Sequence, residues 1–381
     1  MSSARSSETS VVDVKSAFDG QRIVPGRVAL KDGRVLAIGV QPPGERFLAA
    51  PGLVDLQVNG FAGVDFLAAS VADFTTSSLA PLAFGVTAFQ PTLISAPESG
   101  LCHALETIAR AGQLAGGARI LPAHLEGPFL SPSWPGAHDP RYLCAPDHLL
   151  LDRFLDAGPV GYMTIAPELP GGIDLLAHLR ERGIIVALGH SDATLDQANA
   201  AFDAGARALT HAFNAHRPLT AREPGPAGAA LVRDDVFVEL IVDGIHLDDA
   251  LITIVDRCAR ERVILVTDAI VAAGIGDGAF QFGPLEVIVA NGRATLSDGR
   301  LAGSVATLDA CLRRLVAASV PLEQALRAVT SRPAELIGRN DLGHLQPGDR
   351  ADLVVFDEEL FPAQTFLDGR LVWQAKVSSC A

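Results

Sequence analysis

Over most of this chain, short apolar runs alternate with amphipathic stretches. Strand-like runs lie at 53–59, 87–93, 119–127, 162–168, 184–191, 207–215, 236–244 and 263–269. Between most of them lie segments with helical periodicity, such as 146–158, 173–183 and 248–262. Alternation of this kind predicts an α/β fold, a (β/α)₈ TIM barrel. A doubly wound open sheet is the alternative. It would want a Gly-rich phosphate loop after its first strand, and no G-x-G-x-x-G follows 53–59.

The two ends read differently. Residues 12–48 are short strands broken by turns, with Asp32-Gly33 as a hairpin turn. Residues 351–357 and 367–373 are strand-like too. They predict one small β domain built from both termini, 1–50 and 345–381, around a barrel spanning 51–344. A further hairpin, 285–296 with Asn291-Gly292 at its turn, is inserted after the eighth strand.

A length of 381 residues suits a large barrel with a small second unit. Charged residues make up 19% of it, and the mean hydropathy is +0.28, so a sizeable core is expected. A net charge of −14 argues against nucleic acid or an anionic membrane as partner. It also means that an anionic substrate needs a locally basic pocket. The five cysteines, Cys102, Cys144, Cys258, Cys311 and Cys380, form no C-x-x-C and are odd in number. They predict free thiols in a reducing compartment, the cytoplasm. Met1–Ser10 lacks the apolar core of a signal peptide, and no run of about 18 apolar residues predicts a membrane span.

Polar residues recur at the C-terminal ends of the strands, the face on which barrels carry their sites. Glu126, His190, His211 and Asp268 each follow an apolar run. Two imidazoles and a carboxylate match a catalytic zinc site with an open position, so Glu126, His190 and His211 are candidate ligands for a divalent metal. Asp268 is the candidate general base, a role compatible with capping the next helix. The first strand carries Gln57 and Asn59 where many binuclear barrel hydrolases have H-x-H. Residues two apart share a strand face, and neutral amides are weak zinc ligands. One tightly held metal is therefore expected, with the amides hydrogen-bonding around it. His124 shares the face of Glu126 and is expected behind the metal. His103, His148, His178 and His344 are expected at the periphery.

With these residues in hand, the sequence resembles the N-acetylglucosamine-6-phosphate deacetylases of the amidohydrolase superfamily. The resemblance rests on HLEGPFLSP (124–132), GAHDP (136–140), GHSDAT (189–194), THAFNA (210–215), REPGPAG (222–228), DGIHL (243–247), LVTDAIVAAG (265–274) and LAGS (301–304). It runs from Pro51 to Asp357, nearly the whole chain. It implies the barrel with a small β-sandwich from both termini, and hydrolysis of the N-acetyl group of a hexosamine 6-phosphate. It implies metal ligation by Glu126, His190 and His211, acid/base work by Asp268, and an oxyanion contact by His138. It further implies substrate contacts at Ala137, Asn214, Ala215, Arg222, His246, Leu301, Ala302 and Gly303. A homodimer follows, with Arg222 and in some descriptions His246 reaching a neighbouring subunit's site.

Two departures stand out, His216 after THAFNA and Ala221 before REPG. His216 is expected to add positive charge beside the phosphate contacts or to change which sugar fits. Rival readings are a deacetylase of N-acetylgalactosamine 6-phosphate or of another N-acyl substrate. A binding protein that has lost catalysis is disfavoured by the intact Glu126, His190, His211, Asp268 and His138.

Overall fold

The structure, a computed structural model, describes residues 9–114 and 116–376. Its centre is a parallel sheet that closes into a barrel. The barrel strands are β1 (Leu53–Val58), β2 (Val86–Ile94), β3 (Ala123–Glu126), β4 (Val160–Ile165), β5 (Ile185–Leu188), β6 (Ala208–Leu209), β7 (Phe237–Leu240) and β8 (Val263–Leu265). Each predicted run overlaps one of them. The third run is interrupted: Arg119–Ile120 also pairs with β2, and Pro122, which has no N–H to give a ladder, separates the two pieces. Closure comes from Val58 bridging Ala269, with the Asp268 amide donating to the Gln57 carbonyl at 2.9 Å.

A helix follows every strand. The one at Glu98–Ala111 buries Leu101, Ala104, Leu105, Ile108 and Ala111, the stripe that helical periodicity places on one face. Burying each such Leu or Ile contributes about 1.5–3 kcal/mol. The helix at Leu195–Asp203 begins with a capping box between Thr194 and Gln197.

Inside the barrel, side chains rise in layers, as the two-residue strand period requires. Ala187, Ala208, Phe237, Ile264 and Tyr162 form a mostly apolar floor. Above it sit His124, Thr164, Thr210 and Glu239, all buried. Glu126, His190, His211 and Asp268 stand at the mouth.

Strands from both ends of the chain meet in one six-stranded sheet. Arg46–Pro51 lies between Val14–Phe18 and Leu353–Phe356 in it. A three-stranded sheet, Ser10–Val12, Arg27–Lys31 and Arg34–Val40, packs against it through Val12, Val14, Val28, Leu30, Val35, Leu345 and Val355. The Asp32-Gly33 turn joins Lys31 to Arg34 with both turn residues at positive φ. Arg119 ties the barrel to this layer by a bidentate pair with Asp352, at 2.8 and 3.1 Å. On this pairing we propose the division into 1–50 with 345–381 and a barrel of 51–344. The inserted hairpin also forms, with Ala290 opposite Arg293 and a third strand, Gly278–Phe282, alongside.

Cys102, Cys144, Cys258 and Cys311 are free, and Cys380 lies outside the described residues, as does most of Met1–Ser10. Among the described residues no helix is long and apolar enough to cross a membrane.

Candidate functional site

At the mouth the chain leaves the extended conformation. His190, His211 and Asp268 have φ of 47°, 30° and 50°. Non-glycine residues pay roughly 1–3 kcal/mol each for such backbone. The turn in the chain aims their side chains inward. It also explains why the predicted runs 184–191, 207–215 and 263–269 end early as strands, at Leu188, Leu209 and Leu265.

Three side-chain atoms converge there. The Glu126 carboxylate lies 3.2 Å from His190 Nε2 and 2.9 Å from His211 Nε2, and the two Nε2 atoms are 3.1 Å apart. Donors sharing one zinc at about 2.0–2.1 Å stand about 3.4 Å apart, so this triangle fits a single small divalent ion. The tautomer fits as well. His190 Nδ1 donates to the Trp134 carbonyl at 2.9 Å, which leaves the Nε2 lone pair facing Glu126. Burial pushes His190 down to about 4. Burial works the same way on His211, but the Glu126 hydrogen bond and charge override it and raise that imidazole to about 9. Burial would raise Glu126, yet the imidazoles of His138, His190 and His211 around it hold it well below the usual carboxylate range. One exchangeable proton shared among a carboxylate and two imidazoles is what a bound metal would displace.

His138 also stands close, its Nε2 3.6 Å from Glu126 Oε2, and ligand atoms of Glu126, His138 and His190 lie within 4.8 Å of one another. The backbone N–H of Ser95 donates to His138 Nδ1 at 3.1 Å, however. The neutral ring therefore carries its proton on Nε2, facing the pocket. That presents an N–H donor to the cavity and leaves Nε2 without a lone pair for a metal.

Gln57 Nε2 donates to Glu126 Oε1 at 3.0 Å and to Asp268 Oδ1 at 3.1 Å, and Asn59 Nδ2 donates to Asp268 Oδ1 at 2.7 Å. Both first-strand amides thus donate to the carboxylates at the mouth. Both bonds fall on Oδ1, so Asp268 Oδ2 keeps its lone pairs for the pocket. Burial, and then the Glu126 charge, raise Asp268 to about 7, suited to exchanging protons near neutrality. Gly303, at φ 74°, lies against it: a Cβ there would meet the Asp268 carbonyl at 2.7 Å.

Asn59, Glu126, His138, His190, His211 and Asp268 line a cavity of about 430 Å³ together with Asn214, Ala215, His246, Ala137, Leu301 and Gly303. His246 is oriented by Asp243, 2.7 Å from its Nδ1, and faces this chain's own pocket. Asn214 Nδ2 donates to the His211 and Ala212 carbonyls, both at 3.3 Å, which leaves its side-chain carbonyl available.

Other expected residues lie elsewhere. Ala302 is fully buried behind the cavity, among Ile270, Val287 and Phe282. His124 bonds to Thr164 at 2.8 Å and Thr92 at 3.3 Å, one layer below, and has no hydrogen bond to Glu126, His190 or His211. Arg222 is exposed and does not line the cavity of its own chain. The neighbouring Glu223 accepts on Oε1 from the Leu195 and Gly225 amides at 2.7 and 3.1 Å. His216 adds no charge. Its Nε2 accepts from the Phe213 amide at 2.7 Å, and burial pushes it down to about 3, so it is a neutral clamp on the 211–216 turn.

Sequence reasoning missed Trp134, Phe282, Ile94, Ile241 and Arg300, all lining the cavity. Trp134 sits beside the GAHDP segment, a usable signal. Phe282 and Arg300 come from the inserted hairpin, and nothing local in their sequence points to a pocket.

The comparisons agree with this geometry. Residues 48–372 match the model of the amidohydrolase family. The N-acetylgalactosamine-6-phosphate deacetylase of Escherichia coli O157:H7 is 36% identical over 91% of this chain and 94% of its own. The N-acetylglucosamine-6-phosphate deacetylase of Vibrio furnissii is 36% identical over 86% of this chain and 84% of its own. A mutant N-acetyl-D-glucosamine-6-phosphate deacetylase of Mycobacterium smegmatis, solved with N-acetyl-D-glucosamine-6-phosphate, superposes with a TM-score of 0.90 at 35% identity, covering 96% of this chain and 99% of that one. The chain belongs to the amidohydrolase family, and it is a hydrolase.

Proposed function

We propose that this enzyme hydrolyses the N-acetyl group of N-acetyl-D-glucosamine 6-phosphate, giving glucosamine 6-phosphate and acetate. The observation that carries the reading is the Glu126, His190 and His211 triangle, with Asp268 and His138 facing the same cavity. One divalent ion, proposed as zinc, is held by Glu126, His190 and His211 and supplies Lewis acidity. Asp268 takes the proton of the attacking water on Oδ2 and returns it to the leaving amine nitrogen. His138 donates from Nε2 to the acetyl oxygen as negative charge develops there. Gln57 and Asn59 fix the Asp268 carboxylate while it works. Asn214, the Ala215 backbone and His246 hold the sugar phosphate. Exposed Arg222 reaches the pocket of a second copy, which makes the working form a homodimer, and the free thiols suit the cytoplasm.

A second reading has a specific support: the E. coli relative named for the galacto sugar is as similar as those named for the gluco sugar. The test is a panel of N-acetylglucosamine 6-phosphate, N-acetylgalactosamine 6-phosphate and both plain sugars, read by primary amine release. The gluco 6-phosphate should give the highest kcat/KM. A higher value for the galacto 6-phosphate would replace the substrate and keep the chemistry. No amine from any of the four would overturn the reading.

A further inference from the structure

Among the described residues that line the cavity, Arg300 alone is a lysine or arginine. It stands at the base of the hairpin inserted after β8, just past the tight Ser297-Asp298-Gly299 turn. There the Gly299 amide bonds to the Leu296 carbonyl and the Leu296 amide to the Arg300 carbonyl, both at 2.9 Å. The side chain is held before any ligand arrives. Its Nε and Nη2 each lie 2.7 Å from Asp298 Oδ2, and Nη1 donates to the Gly136 carbonyl. Three of the five guanidinium N–H groups are thereby placed, and two remain for a ligand.

Its location matters more than its charge. Gly136 is packed between the metal-binding face and the sugar face: a Cβ built on it would lie 2.7 Å from His190 Cε1 and 3.4 Å from the Ala215 Cβ. A guanidinium bonded to the Gly136 carbonyl lines the same cavity as Asn214 and Ala215. The side chain is 46% exposed, at the rim. In a chain of net charge −14, a cation fixed at the mouth is what an anionic substrate requires.

We propose that Arg300 is a specificity-determining residue that reads the substrate's phosphate from within the same chain. This rests on the phosphosugar reading above. The planar fork offers two N–H groups to phosphate oxygens, while Asp298 fixes its plane. Arg222 then becomes a contribution from a neighbour, added to a cation that each chain already owns.

The test is the ratio of kcat/KM for N-acetylglucosamine 6-phosphate to that for N-acetylglucosamine. It is measured in the metal-loaded parent, Arg300→Ala, Arg300→Lys and Arg222→Ala. The parent should prefer the phosphorylated sugar. Arg300→Ala should lower that ratio by about 10- to 100-fold, chiefly through KM, and Arg300→Lys should restore part of it. An equal loss on both sugars would overturn the proposal, because it would make Arg300 a clasp between the hairpin and the Gly136 loop. So would a preference unchanged in Arg300→Ala and lost only in Arg222→Ala. A parent with no phosphate preference would sink the phosphosugar reading and this proposal together, and the parent measurement alone would show it.

Discussion

Two groups of polar side chains share the barrel interior one layer apart, and the fold treats them in opposite ways. In the middle layer donors alternate with acceptors. Tyr162 donates to Glu239 at 2.7 Å, and Thr164 links Thr210 and His124, each at 2.8 Å. Hydroxyls can give and accept, so these bonds largely satisfy one another, Glu239 Oε2 alone among these groups being left without a partner. At the mouth, Glu126 Oε1, His190 Nε2 and His211 Nε2 are packed within 3.2 Å of one another. They bring lone pairs to one point, and both histidines stand on backbone held at positive φ. Buried polarity alone does not mark a site. Like atoms converging on strained backbone do, since nothing in the stability of the fold asks for them.

The contrast breaks most sharply at Asp268. Asp268→Asn keeps the Oδ1 position and the bonds from Gln57 and Asn59, but it cannot take a proton. It should lower kcat by about 10²- to 10⁴-fold, with metal content and melting temperature close to the parent. A variant that turns over within a few-fold of the parent would remove Asp268 from the chemistry.

A smaller effect is expected in the structural group, and it falls on stability. Asp55 is buried against Thr267, which donates from its hydroxyl at 2.6 Å and from its amide at 3.2 Å. Burial raises Asp55 from 3.8 to about 7. Between those values the folded chain holds a proton that the unfolded chain has released. Unfolding free energy therefore falls as pH rises through that window, and the penalty is complete above it. Asp55→Asn should flatten this part of the profile by about 2–4 kcal/mol, read from urea unfolding between pH 5 and 8. The same slope in variant and parent would contradict the assignment.

The barrel was legible because each strand is a buried apolar run and each helix an amphipathic one. The mouth residues were legible because Glu126, His190, His211 and Asp268 interrupt that pattern at strand ends. What escaped was what depends on where loops come to rest. The hairpin itself was read from Asn291-Gly292, but its return to the mouth with Phe282 and Arg300 is a tertiary event. The charge expected of His216 is not there, because its ring turns inward to the Phe213 amide and is buried. The Ala302 side chain was not legible as core because alternate residues of a segment face opposite ways, so Leu301 and Gly303 meet the cavity and Ala302 meets the core.

The central claim is that one metal, held by Glu126, His190 and His211, makes this chain a deacetylase. It is tested most directly by stripping the protein with a chelator, adding back divalent ions, and following metal content by elemental analysis alongside amine release from N-acetylglucosamine 6-phosphate. Activity should vanish in the stripped protein and return in proportion to about one bound equivalent per chain, with His211→Asn failing to retain the ion. Full activity in the stripped protein, or two equivalents surviving dialysis and both needed for turnover, would contradict it.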